Sequence, residues 1–199
     1  MNKPTVVILI HGFNVWDGGA ASVGNLRPFF SVNSVCLMLR YGHFGLLETR
    51  FKNKKIAKRL HKAVTSAHKY GFKVVVVGHS NGCAIIHTAV KKYKTVIDKV
   101  VYINPALKKD LEPGDSVAAM DVWHSPSDKA VRWSKWLPAS NARPWGEMGA
   151  VGYKGIPYDK VRNFDKENDY DVSSSKHSDV FKAEKLVFFG GEITARALE

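Results

Sequence analysis

Only two cysteines, Cys36 and Cys83, occur in 199 residues, and both sit among apolar neighbours. That scarcity and setting argue against a disulfide framework and point to buried free thiols and a reducing compartment. Long hydrophobic runs are missing too. Val6 to Ile10 is cut off by His11-Gly12, too short for a signal h-region or a membrane span, so a soluble, cytoplasmic protein is expected. There are no repeats and no low-complexity tracts. Zinc-ligand spacing, a nucleotide-binding glycine loop and the aromatic pattern of single-strand binders are all absent, so no metal and no cofactor are expected.

Acidic residues are scarce as well, and unevenly so. Eighteen Asp and Glu face 30 Lys and Arg, for a formal charge of +12. Between Arg50 and Lys99 thirteen Lys and Arg meet one acid, Asp98, so a quarter of the chain carries the whole excess. Within it, Ile56, Leu60, Ala63, Val64 and Ala67 recur at helical spacing, while Lys54, Lys55, Lys58, Arg59 and Lys62 take the other face. Such a stripe reads as the solvated side of an amphipathic helix. Its functional reading is a surface for nucleic acid, anionic membrane or an acidic substrate.

What the chain does have is apolar residue in quantity, 45% of the total, enough for one domain over 1–199 with a sizeable core. Short β-branched runs predict strands at 5–10, 35–39, 73–77, 100–103, 117–123 and, more weakly, 160–164. Several are apolar throughout, as strands buried on both faces of a parallel sheet should be. Helical patterns at 48–70, 81–93 and 128–137 fall between them. The expected fold class is therefore α/β: a mostly parallel twisted sheet of about six strands, with helices on both faces. Residues 138–157, containing "RPWGEMGAVGYKGIP", show no clear period and are expected to form a long functional or mobile loop.

The stretch "VVVVGHSNGCAII" runs from a buried strand through Gly78-His79-Ser80-Asn81-Gly82 into an apolar, helix-compatible segment. A strand–turn–helix setting thrusts the serine hydroxyl out above the sheet edge, and side chains at 78 and 82 would collide with neighbouring elements there. A bare serine is a poor nucleophile, so a base, an orienting acid and an oxyanion site must come from elsewhere. The sequence offers each. "VVILIHGFN" ends a strand at His11-Gly12, from which the Phe13 N–H can face the same cleft as the Asn81 N–H. "VWHSPSDKAV" sets Asp128 after a buried strand, and "SSSKHSDVF" sets His177 in a polar loop.

Competitors exist for two of these roles. Asp121 lies inside a strand and Asp115 precedes it, whereas an orienting acid belongs on a strand's C-terminal loop, which favours Asp128. His124 and His43 compete with His177, but His124 is only four residues from Asp128, a spacing that reads as local packing. His79 and His11 read as structural or site-lining residues, and Cys83 as helix packing. His43 and Trp145 read equally as cleft residues or as ordinary loop contacts.

Ser80, Asp128 and His177 follow one another as nucleophile, acid and histidine, and in this order the chain resembles the α/β-hydrolase superfamily. The resemblance runs from "HGF" through "GHSNG" and "SPSDKAV" to "KHSDVF". It implies a serine hydrolase of esters, with thioesters and amides sharing the same motifs, and an acyl-enzyme intermediate. The chain departs from larger members in having only about a dozen residues between Ile103 and Val117, so no cap domain is expected and cover must come from 138–157 or 40–48. An uncapped site suits a bulky or polymeric acyl substrate, and the positive surface an acidic one. Two rivals stand beside this reading: a catalytically silent binding protein on the same scaffold, and a protein that associates with polyanions or anionic membranes through the basic 50–99 face.

Overall fold

The structure, a computed structural model, describes residues 3–13, 16–31, 34–43, 48–134, 144–156, 159–170 and 176–199. Among the described residues six strands make one sheet: β1 (Thr5–Ile10), β2 (Val35–Met38), β3 (Lys73–His79), β4 (Lys99–Ile103), β5 (Met120–His124) and β6 (Val161–Asp165). They lie in the order β2-β1-β3-β4-β5-β6, and every pair is parallel. The helices are α1 (Arg27–Phe30), α2 (Thr49–Lys69), α3 (Asn81–Tyr93), α4 (Lys129–Ser134), α5 (Met148–Val151) and α6 (Ala183–Leu198).

Side-chain alternation sends Val6, Ile8, Val74 and Val76 to one face of the sheet and Val7, Leu9, Val75 and Val77 to the other, and all eight are buried. Helices on both faces are the only way to cover such strands. On the first face α2 and α3 supply Ile56, Leu60, Val64, Ile85 and Ile86. On the second, α1 and α6 supply Phe30, Phe189 and Ile193. The basic residues Lys54, Lys55, Lys58, Arg59 and Lys62 stand exposed on the outer side of α2. No helix of the described residues is long and apolar enough to cross a membrane.

Several boundaries differ from expectation. β3 continues two residues past Val77, and β2 stops at Met38. β5 starts at Met120, because Val117 forms only an isolated bridge with Ile97. Helix α6 has no counterpart in the sequence patterns. Its Gly190-Gly191 pair is a poor helix interior, yet Gly190 is where the Phe29 ring packs, 2.7 Å from where a Cβ would stand. Tertiary packing overrides propensity at that point.

The stretch 138–157 is not one open loop. Residues 138–143 and 157 lie outside the described residues, but 144–156 holds α5 and buries Trp145, Met148 and Tyr153 in the core. In the other candidate cover, residues 44–47 lie outside the described residues, and Tyr41 is buried rather than covering anything. Residues 104–119, where a cap would be inserted, are all described and contain no helix.

This topology fixes where a site can be. The chain leaves β1 toward β2 on one side and β3 toward β4 on the other, so a crevice opens between the C-terminal ends of β1 and β3. Residues 11–13 and Ser80 lie at those two ends.

Candidate active site

Ser80 sits between β3 and α3 with φ 54° and ψ −121°, a conformation that L-residues avoid and that costs about 1–3 kcal/mol. It is held there from both sides. Its N–H donates to the Ile103 carbonyl at 3.1 Å, and its own carbonyl accepts from Cys83 N at 3.1 Å. The positive φ belongs to the serine, and neither flanking glycine shares it. Gly78 and Gly82 serve by taking up no space. A Cβ on Gly82 would lie 2.4 Å from the Ile10 carbonyl oxygen and 2.7 Å from that of His11, and one on Gly78 would meet Ile86 at 2.6 Å. The backbone atoms beside Gly82 cannot yield, so Gly82→Ala is expected to cost about 2–4 kcal/mol, a fall in melting temperature of roughly 10 °C. An unchanged melting curve would show that the α3 start does not need to approach β1 so closely.

The end of β1 is braced from beneath. The Tyr41 hydroxyl donates to the His11 carbonyl at 2.5 Å and also reaches the Gly12 carbonyl at 3.1 Å, while the His11 ring stacks on Tyr41 with centroids 3.8 Å apart. Burial lowers the His11 pKa, so its ring belongs to the scaffold. Gly12 runs so close to the serine that a Cβ there would be 3.0 Å from the Ser80 Cβ, which brings Phe13 to the elbow. Asn81 opens α3, where the first N–H groups of a helix have no partner within it. Its side chain is locked by a reciprocal pair with Asn53, at 3.0 and 3.1 Å, and by Trp145 Nε1 at 3.3 Å.

Asp128 is fully buried at the start of α4. One carboxylate oxygen, Oδ1, accepts the Val131 N–H at 3.1 Å, in the manner of a helix cap. The other, Oδ2, accepts His177 Nδ1 at 2.7 Å and Asn104 Nδ2 at 2.6 Å. Burial works against the charge, but these hydrogen bonds outweigh it and hold the carboxyl below its usual range. Because a carboxylate only accepts, the His177 Nδ1 must carry the proton, leaving Nε2 with its lone pair.

His177 is tied to the elbow through its neighbour. His79 Nε2 donates to the His177 carbonyl at 3.0 Å, and the His79 ring lies between His177 and Phe181, with centroids at 4.7 and 4.9 Å. Burial drives the His79 pKa down to about 3, so it is a neutral strut and puts no charge beside His177. Asp179 closes the same turn by accepting the Lys176 N–H at 3.0 Å.

The competitors lie elsewhere. Asp121, near the start of β5, is gripped by Arg162 at 2.8 and 3.0 Å and by Lys99 at 3.2 Å, a structural ion cluster. Asp115 is in an exposed turn before β5. His124 is buried against Gly152, its pKa lowered by that burial, and His43 stacks on exposed Trp16 with centroids 4.0 Å apart. Burial raises the Cys83 thiol well above its usual range, so it is packing rather than a nucleophile. No three His, Cys, Asp or Glu of the described residues cluster as metal ligands.

Four contributors escaped the sequence reading: Asn53 behind Asn81, Asn104, Lys166 and Glu167. Asn104 had a signal, an Asn-Pro step at the end of a strand. It adopts φ 45° and accepts a hydrogen bond from Lys166 Nζ on its side-chain oxygen. Glu167 accepts from both Ser125 Oγ and Ser127, the latter through N–H at 3.0 Å and Oγ at 2.9 Å, and so shapes the loop before Asp128. Lysine and glutamate in a turn after an edge strand look like surface residues, and nothing in the sequence marks them.

No protein-family model and no curated protein matches the chain. Solved structures do. Est1E from Butyrivibrio proteoclasticus, with ferulic acid bound, has a TM-score of 0.59 at 15% identity, covering 98% of this chain and 90% of its own. An α/β serine hydrolase without a lid from Xanthomonas campestris reaches 0.64 at 11% identity, over 98% of this chain and 81% of its own. A metagenome-derived lipolytic enzyme, from a study of LipS and LipT, reaches 0.61 at 13% identity, over 98% and 93%. At such identities the likeness is one of fold.

Proposed function

The chain has the α/β-hydrolase fold, and on that premise we propose that it is a serine hydrolase of carboxylic esters or related acyl bonds. One observation carries the reading. A serine in a strained elbow at the sheet's switch point directly follows His79, whose ring bonds the backbone carbonyl of a histidine that has its Nδ1 on a buried carboxylate. His177 Nε2 takes the proton of Ser80 as its Oγ attacks the acyl carbon, and Asp128 fixes the tautomer. The Phe13 and Asn81 N–H groups hold the oxyanion, a contribution of about 3–4 kcal/mol for each donor. His177 then protonates the leaving group, and water repeats the sequence on the acyl-enzyme. Covalent labelling by a serine-directed fluorophosphonate, mapped to Ser80 by mass spectrometry, tests the proposal; an unlabelled folded protein would sink it.

The same site carries a preference for acidic substrates. A cavity of about 490 Å³ opens beside His177, lined by Ser127, Lys129, Ala130 and Lys176, a size suited to a small ligand. Both lysines are exposed, and neither ammonium has an ion pair among the described residues. Two unneutralised cations next to the base suit a carboxylate or phosphate on the acyl or leaving group. Replacing both by alanine is expected to raise KM for an acidic aryl ester about three- to tenfold and to leave that of a neutral ester of equal size unchanged. Equal effects on the two esters would remove the preference.

A further inference from the structure

A lysine at zero exposure lies behind the acid of the candidate triad, and nothing in the mechanism uses it. Lys166 is in the turn after β6, its N–H bound to the His124 carbonyl at 3.0 Å and its ammonium donating to Asn104 Oδ1. Asn104 in turn donates from Nδ2 to Asp128 Oδ2, the oxygen that also accepts His177 Nδ1. A continuous chain of donors and acceptors thus runs Lys166–Asn104–Asp128–His177.

We infer that Lys166 is a positioning residue, acting through Asn104 and Asp128 to align His177 and to shape the pH dependence of the reaction. The inference rests on the serine-hydrolase reading of the site. An ammonium has donors and no acceptor, so it forces Asn104 to turn its amide oxygen inward and its NH2 toward Asp128. With the opposite flip, Asp128 would face an oxygen and lose a donor. The positive charge also polarises the amide and stabilises the carboxylate across it.

Other groups face the same ammonium. Glu167 follows it in the turn, Asp179 comes from the 3-10 turn at Asp179–Phe181, Lys185 from α6, and His79 from the end of β3. Burial lowers the Lys166 pKa to about 8 while Asp128 and Glu167 oppose it, so the lysine is charged at neutral pH. Isolating an ammonium from water is costly, and a neutral N–H donor of similar reach would satisfy Asn104 Oδ1 equally well for a purely structural purpose. Its place beside the acid is what gives the charge a task.

The sign follows from the charge. Removing the cation leaves the surroundings of the Asp128–His177 pair more negative, which moves the acid limb of activity toward higher pH. For Lys166→Met the acid limb of the pH profile, read both as fluorophosphonate labelling rate and as kcat/KM on an aryl ester, is expected to move up by about one pH unit. Its kcat should fall about tenfold with KM unchanged, and its melting temperature should drop by about 3–6 °C because Asn104 Oδ1 is left buried without its donor. Lys166→Gln keeps an N–H donor for Asn104 without the charge: kcat should recover while the limb stays displaced.

Profiles of both variants that superimpose on the parent's would overturn the inference. So would a Met variant that melts earlier and reacts more slowly with its limb unmoved, since that is structural damage only. If the Met variant fails to fold, the Gln variant's limb decides alone. Failure of the parent itself to label removes the serine-hydrolase reading and this inference with it, an outcome distinct from the other two.

Discussion

Ser80→Ala is expected to lose all fluorophosphonate labelling and to turn over aryl esters at least about ten-thousand-fold more slowly than the parent, with its melting temperature within a degree or two. The size of the loss follows from what remains. On the proposed mechanism the Phe13 and Asn81 donors would still bind the carbonyl, but no atom would be left to form the acyl-enzyme, and residual catalysis would come from binding and polarisation alone. The unchanged stability follows from the backbone. Alanine keeps the Cβ that makes φ 54° costly and the backbone hydrogen bonds of the elbow, from residue 80 to Ile103 and from Cys83 and Ala106 to residue 80, so neither strain nor its restraint changes. Ser80→Gly separates the two effects: it should be equally inactive, yet more stable by roughly 1 kcal/mol, because glycine tolerates the left-handed region. Alanine and parent enzymes of equal rate would dismiss Ser80 as the nucleophile.

Asp128→Asn comes second in size, with an expected drop in kcat of about three to four orders of magnitude at neutral pH. Both oxygens of this carboxylate are engaged by donors, His177 and Asn104 on one and Val131 on the other. An amide has one oxygen and one NH2, so no orientation satisfies the set. With its oxygen toward His177 and Asn104, the NH2 confronts the Val131 N–H and the charge that stabilises the imidazolium is lost. With the NH2 toward them, two donors face a third and His177 is driven into the wrong tautomer. Either way a buried polar group goes unsatisfied, so the variant should also lose about 1–3 kcal/mol of stability. The negative result that matters is near-parental kcat in a folded Asn variant, which would return the acid role to another carboxylate.

Much of the fold was legible because the strands are apolar at nearly every position. Burial on both faces requires helices on both faces, and the valines of β3 state this without any tertiary knowledge. The strand after Gly114 was misjudged at its start because Val117 pairs with Ile97 alone, a distinction that depends on a partner rather than on β-propensity. α6 was missed for the opposite reason: its two glycines argue against a helix locally, and only the Phe29 ring against Gly190 explains one of them. The stretch after Pro144 read as a loop because its aromatics lack a helical period, yet Trp145 and Tyr153 are core residues that close the space beside Asn81 and β6.

For the site, the sequence by itself determined the elbow, the order Ser80, Asp128, His177 and the placing of residues 11–13 at a strand end, since each depends on residue type at short range or on position after a strand. What only the tertiary structure decided is which atoms meet. His177 binds Asp128, 49 residues before it, while Asp121 binds Arg162. His79 proves to be a neutral strut, and the Lys166–Asn104 pair joins the ends of β6 and β4 across 62 residues. A buried charge has no sequence signature of its own; it becomes visible only when the fold shows what was brought in to meet it.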